Sequence, residues 1–137
     1  MPYYIRYKVL EYEPNYKVEA YGKTLSEVFH TSAEAFLDHV ILDMGCETTD
    51  KHIHKQFSYK SNNINDLLVN FLTEVKGLTY KNIVVKYINV NVNEIGYTAS
   101  LTCRICKPEL TCMIKTITTL VERKHDKYTA EVTFERI

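Results

Sequence analysis

The chain has 137 residues, with 17 basic and 17 acidic side chains and a formal charge of zero. That length is expected to form one domain over residues 1–137, with a core that needs no staples. The charge balance excludes a general polyanion-binding character. No apolar run reaches the roughly 20 residues of a membrane helix. Residues 1–8, MPYYIRYK, lack the apolar stretch of a secretion signal, so a cytoplasmic protein with reduced cysteines is expected.

From Tyr4 to Leu10, Ile5, Tyr7 and Val9 alternate with Arg6 and Lys8, which predicts a half-buried strand. Glu13-Pro14-Asn15 breaks it, because Pro14 has no N–H for a ladder. Tyr16, Val18 and Ala20 predict a second strand that runs through Gly22 into a helix. Thr24 and Glu27 have capping-box spacing, and Leu25, Val28, Phe29, Ala33, Phe36, Leu37, Val40, Ile41 and Met44 form an apolar stripe. Gly45 is the expected C-terminal cap, followed by a loop over Cys46 to Asp50.

His52 to Tyr59 alternates as a strand, with Ile53 and Phe57 opposite His52, His54 and Gln56. Asn63 and Asp66 open a second helix carrying Ile64, Leu67, Leu68, Phe71, Leu72 and Val75, with Gly77 as its expected close. Asn82 to Asn93 alternates with a slip between Tyr87 and Ile88, the mark of a bulge. After the turn Glu94-Ile95-Gly96, Tyr97, Ala99, Leu101, Cys103 and Ile105 predict a strand, which Lys107-Pro108-Glu109 turns. Leu110 to Glu122 and Tyr128 to Ile137 predict two final strands joined at Arg123-Lys124-His125-Asp126, with Ala130, Val132 and Phe134 facing the core. The fold class expected is α+β, a mixed or antiparallel sheet with two helices packed on one face.

Cys103 and Cys106 form a CxxC, with Cys112 six residues on and Cys46, His52 or His54 as a fourth zinc ligand. Residues three apart on a strand face opposite ways, and a redox CxxC opens a helix instead of ending a strand. The cysteines therefore read as small buried side chains. His52 and His54 read as exposed strand residues, and His30 and His39 as boundary residues beside the stripe of the first helix. No nucleophile-elbow, phosphate-loop, dinucleotide or zincin motif is present in the sequence.

Three blocks carry a family resemblance. Ala20, Tyr21, Gly22, Thr24, Leu25, Glu27, Phe29, Ala33 and Ala35 match the archease signature, a strand ending in Ala-Tyr-Gly before a Thr-Leu-x-Glu helix. Residues 66–75, DLLVNFLTEV, resemble the family's Leu-Leu-Val-x-Trp-Leu-x-Glu-Leu helix with Phe71 at the Trp position. Ile114-Lys115-Thr116-Ile117-Thr118 is similar to its Val-Lys-Ala-Val-Thr strand. The resemblance covers nearly the whole chain. It implies an archease-like strand–helix–strand–strand module with an insertion, and an accessory role. Family members activate the GTP-dependent RNA ligase that joins tRNA exon halves, speeding its guanylylation and allowing multiple turnover. That makes the ligase the expected partner, with no strong direct nucleic-acid binding and no membrane.

The resemblance further implies a divalent ion, taken to be calcium, held by an Asp in a His-Thr-Ala-Asp motif, a penultimate Asp and the terminal carboxylate. Tyr12, Glu13, Pro14 and Asn15 stand in that motif's place here, so Asn15 replaces the first Asp. The second Asp aligns with Glu135 when counted from Val132-Thr133-Phe134, and with Arg136 when counted from the chain end. The metal ligands implied by the resemblance are thus Asn15, Glu135 and the Ile137 carboxylate, with Glu13 as a substitute. With fewer carboxylates the calcium site is expected to be weakened or absent.

Overall fold

The structure, a computed structural model, describes residues 6–43, 52–105, 109–110 and 113–137. Its elements in order are β1 (Tyr7–Glu11), β2 (Tyr16–Gly22), α1 (Leu25–Val40), β3 (Ile41–Asp43), β4 (His52–Lys60), α2 (Ile64–Tyr80), β5 (Ile83–Asn93), β6 (Gly96–Ile105), β7 (Glu109–Leu110), β8 (Ile114–Lys124) and β9 (Lys127–Arg136). The fold is α+β, and every described ladder is antiparallel. Instead of one sheet there are two main ones, ordered β1-β2-β9-β8 and β4-β6-β5, with β3 and β7 as a separate pair.

Both helices lie against the buried faces of both sheets: α1 contacts β2, β9 and β5, and α2 contacts β8, β5 and β4. The core joins Val18, Ala130, Val132 and Phe134 from the first sheet to Ala99, Leu101 and Cys103 from the second. Between them Phe29 of α1 stacks on Phe71 of α2 at 5.8 Å, and Phe71 meets Tyr97 of β6 edge-on at 5.5 Å. Aromatic pairs at these spacings add about 0.5–1.5 kcal/mol to the area they bury.

Several expectations about element ends are corrected. The first helix stops at Val40, and Ile41 pairs with Leu110 instead of extending the helical stripe. Two successive β-branched residues weaken the helix there, while β7 offers the backbone new partners. The expected stripe member Met44, cap Gly45 and loop over Cys46 to Asp50 lie outside the described residues.

Gly77 does not close α2, which continues to Tyr80. Asn82 ends it, at a φ of 61°, with its N–H donated to the Thr79 carbonyl at 3.2 Å. Asn tolerates that left-handed conformation. The β5 irregularity falls between Val85 and Tyr87, slightly before the expected slip. Ile105 is exposed, not part of the buried stripe. The strand expected from Leu110 is two elements, with β7 pairing to β3 and β8 starting at Ile114. The last hairpin turns at His125-Asp126, with His125 at a φ of 57°.

Candidate functional site

Two places draw together the residues singled out by the sequence: the turn from β2 into α1, and the junction of the β1–β2 turn with the chain end.

At the first, the N–H of Glu27 donates to the Thr24 hydroxyl at 3.1 Å. The Glu27 carboxylate accepts the Lys23 N–H at 2.7 Å, one residue earlier than a capping box usually reaches. Gly22 is fixed by space: a Cβ there would lie 2.8 Å from both Glu27 Cβ and Val28 N. Ser26 at the start of α1 accepts the Val92 N–H at 2.9 Å and ties the helix to β5. A cavity of about 590 Å³ opens beside this turn, lined by Arg6, Tyr21, Lys23, Glu27, Asp126 and Lys127 among others. Its charges of both signs make it a mixed surface. Arg6 is committed to Glu34 at 3.0 Å, and the Lys127 ammonium lies 5.3 Å from the Tyr21 ring centre. Burial and a hydrogen bond to Glu19 push the Tyr21 phenol up to about 12.

At the second, β2 pairs with β9 so that Tyr16 faces Phe134, which brings the β1–β2 turn beside the chain end. The Asn15 side-chain oxygen accepts the Arg136 N–H at 3.4 Å. The Arg136 guanidinium lies 4.0 Å from the Glu13 carboxylate, and Ile137 donates its N–H to the Met113 carbonyl at 3.1 Å. Glu135 faces β8: its carboxylate accepts the Thr116 hydroxyl at 2.6 Å and lies 3.9 Å from the Lys115 ammonium. Of the three ligands expected from the resemblance, Asn15 is thus held against the backbone of Arg136, next to Ile137, while Glu135 is engaged with β8. The residue hydrogen-bonded to Asn15 is Arg136.

An aromatic group flanks this junction and has no counterpart among the sequence expectations. Tyr12, largely exposed, stacks on Tyr16 at 6.4 Å, and His39 sits 4.8 Å from the Tyr16 ring. Tyr7 donates to Asp38 at 2.8 Å, and burial together with that carboxylate raises its phenol to about 12. The only signal in the sequence was three tyrosines around Pro14, with His39 fifteen residues into a helix that starts at Leu25.

Cys103 is buried as a core side chain, and burial pushes its thiol up. Cys46, Cys106 and Cys112 lie outside the described residues. His52 and His54 share the exposed face of β4, opposite Arg104 and Thr102 of β6. Among the described residues no three His, Cys, Asp or Glu side chains are grouped to hold a metal.

The model of the Archease protein family (MTH1598/TM1083) matches residues 7–135. The chain belongs to the archease family. Its fold matches the solution structure of Methanobacterium thermoautotrophicum protein 1598 with a TM-score of 0.67 at 17% identity, covering 95% of this chain and 98% of that one. It also matches the crystal structure of a Thermotoga maritima archease, described as a possible chaperone, with a TM-score of 0.63 at 19% identity, covering 98% and 99%. No curated protein sequence matches. Among the described residues of this archease no helix is long and apolar enough to cross a membrane.

Proposed function

We propose that this archease is an accessory protein that activates the GTP-dependent RNA ligase joining tRNA exon halves. The observation that supports the reading is family membership across residues 7–135. Its role is to promote guanylylation of the ligase and to return it to the next turnover, and the chain is a helper and not a complete enzyme. The test is a guanylylation and multiple-turnover assay with the ligase of the same organism. Faster guanylylation and more than one product per ligase are expected; no stimulation at any divalent-ion concentration refutes the proposal.

A second reading is a divergent, metal-free relative that binds another protein or a small ligand. The amide of Asn15 and the cation of Arg136 at the chain end favour it, and the Thermotoga maritima archease is itself described as a possible chaperone. Capture of a defined partner other than the ligase, with no change in ligase turnover, separates this reading from the first.

A further inference from the structure

We infer that the Arg136 guanidinium, more than the loss of one carboxylate, closes this chain to the divalent ion its family resemblance implies, and that the chain end is joined to the β1–β2 turn without metal.

The donor set does not fit a hard cation. Calcium takes about six to eight oxygens and binds more weakly as carboxylates are lost. Asn15 offers a neutral amide oxygen that already accepts the Arg136 N–H at 3.4 Å. Glu135 is turned to β8, where the Thr116 hydroxyl at 2.6 Å and the Lys115 ammonium at 3.9 Å satisfy it. The remaining carboxylate of the turn is Glu13, 4.0 Å from the Arg136 guanidinium.

A positive charge therefore stands beside Glu13, the carboxylate of the β1–β2 turn. The Arg136 side chain is 30% exposed, and its Nε is buried with no acceptor among the described residues. The same residue joins the two segments: its backbone N–H donates to Asn15 and its guanidinium lies 4.0 Å from the Glu13 carboxylate.

Losing the Asp and gaining the Arg are separable. Asn15→Asp restores the carboxylate but leaves the Arg136 cation at the junction against Glu13, so calcium still does not bind. Asn15→Asp with Arg136→Asp removes the cation and leaves a cluster of carboxylates that calcium relieves.

The experiment is calorimetric titration of the isolated chain and both variants with calcium chloride up to about 1 mM, the weak end of protein calcium sites. Thermal melts with and without calcium accompany it, and near-ultraviolet circular dichroism verifies the fold. The natural chain and Asn15→Asp are expected to give no saturable heat and no calcium-dependent shift. The double variant is expected to bind at least about tenfold more tightly than either, with a melting temperature that rises with calcium. Should it not fold, Asn15→Asp with Arg136→Gln removes the cation neutrally and is expected to bind where Asn15→Asp does not. Saturable binding by the natural chain, binding by Asn15→Asp as tight as by the variants lacking Arg136, or indifference of every folded variant lacking Arg136 overturns the inference. No ligase enters the measurement, so it stands or falls separately from ligase activation.

Discussion

Alanine at position 22 and alanine at position 77 should move stability in opposite directions. At Gly22 the new methyl would sit 2.8 Å from Val28 N and from Glu27 Cβ, and 3.0 Å from Val28 Cγ2. Carbon contacts are most favourable at about 3.5–4.0 Å, so the overlap is several tenths of an ångström against three atoms. One of these is backbone nitrogen, which cannot rotate aside. Relief requires moving the first turn of α1 off β2, at the expense of the Thr24 and Glu27 cap.

Overpacking of this kind costs about 1–3 kcal/mol. A distorted cap adds up to about 1 kcal/mol. The stiffer unfolded chain returns about 0.4–1 kcal/mol. The expected net loss for Gly22→Ala is about 1–3 kcal/mol, or about 3–10 °C in Tm for a domain of this size. At Gly77, inside α2, a Cβ would meet nothing within 4 Å. There only helix preference acts, and Gly77→Ala should gain about 0.5–1 kcal/mol. Urea unfolding followed by far-ultraviolet circular dichroism, with equal m-values, reads both. If Gly22→Ala is as stable as the natural chain, or both substitutions shift stability the same way, the close approach of β2 to α1 is not what demands glycine.

Phe71→Ala removes the ring that joins Phe29 to Tyr97 in a fully buried site and should cost about 3–5 kcal/mol in the same assay; a cost below about 1 kcal/mol would mean that the three rings do not tie the sheets together. Asn63→Ala strips the cap that accepts the Asn65 and Asp66 N–H groups at 2.9 and 3.3 Å, with an expected loss of about 0.5–2 kcal/mol; unchanged unfolding would refute it. The Tyr7 phenol titrates near 12 when folded against about 10 when unfolded, because burial and Asp38 disfavour its charged form. The folded state therefore holds more protons between those values, and stability should be flat below about pH 10 and fall as pH rises toward about 12. Tyr16 and Tyr97, both raised by burial, act in the same direction. Melting temperatures across that range, with ultraviolet titration of tyrosinate, measure it; stability that rises above pH 10 contradicts the assignment.

What the residues settled by themselves was local. Alternation placed Val18, Ala20, Ala130, Val132 and Phe134 in the core because a strand repeats every two residues. The helical stripe and the Thr24–Glu27 spacing placed α1 because its cap bonds form within one turn. The Ala-Tyr-Gly mark was readable for the same reason, and the contact that demands Gly22 lies only five and six residues away.

What only tertiary structure decided depended on partners distant in the chain. The end of α1 was set by a pairing of Ile41 with Leu110, and no period in residues 25–44 records that partner. The division into two sheets, and the aromatic group of Tyr7, Tyr12, Tyr16 and His39, likewise join segments that sequence spacing does not relate. Sequence could name Glu135 and Arg136 as candidates for one position but could not choose between them, because neighbours on a strand point to opposite faces and counting from either end is equally valid. The register of β2 on β9 and of β8 on β9 turned Glu135 toward Thr116 and Lys115 and left Arg136 against Asn15. Residue types showed that an amide stands at position 15; pairing across 121 residues of sequence showed that it meets the backbone N–H of Arg136.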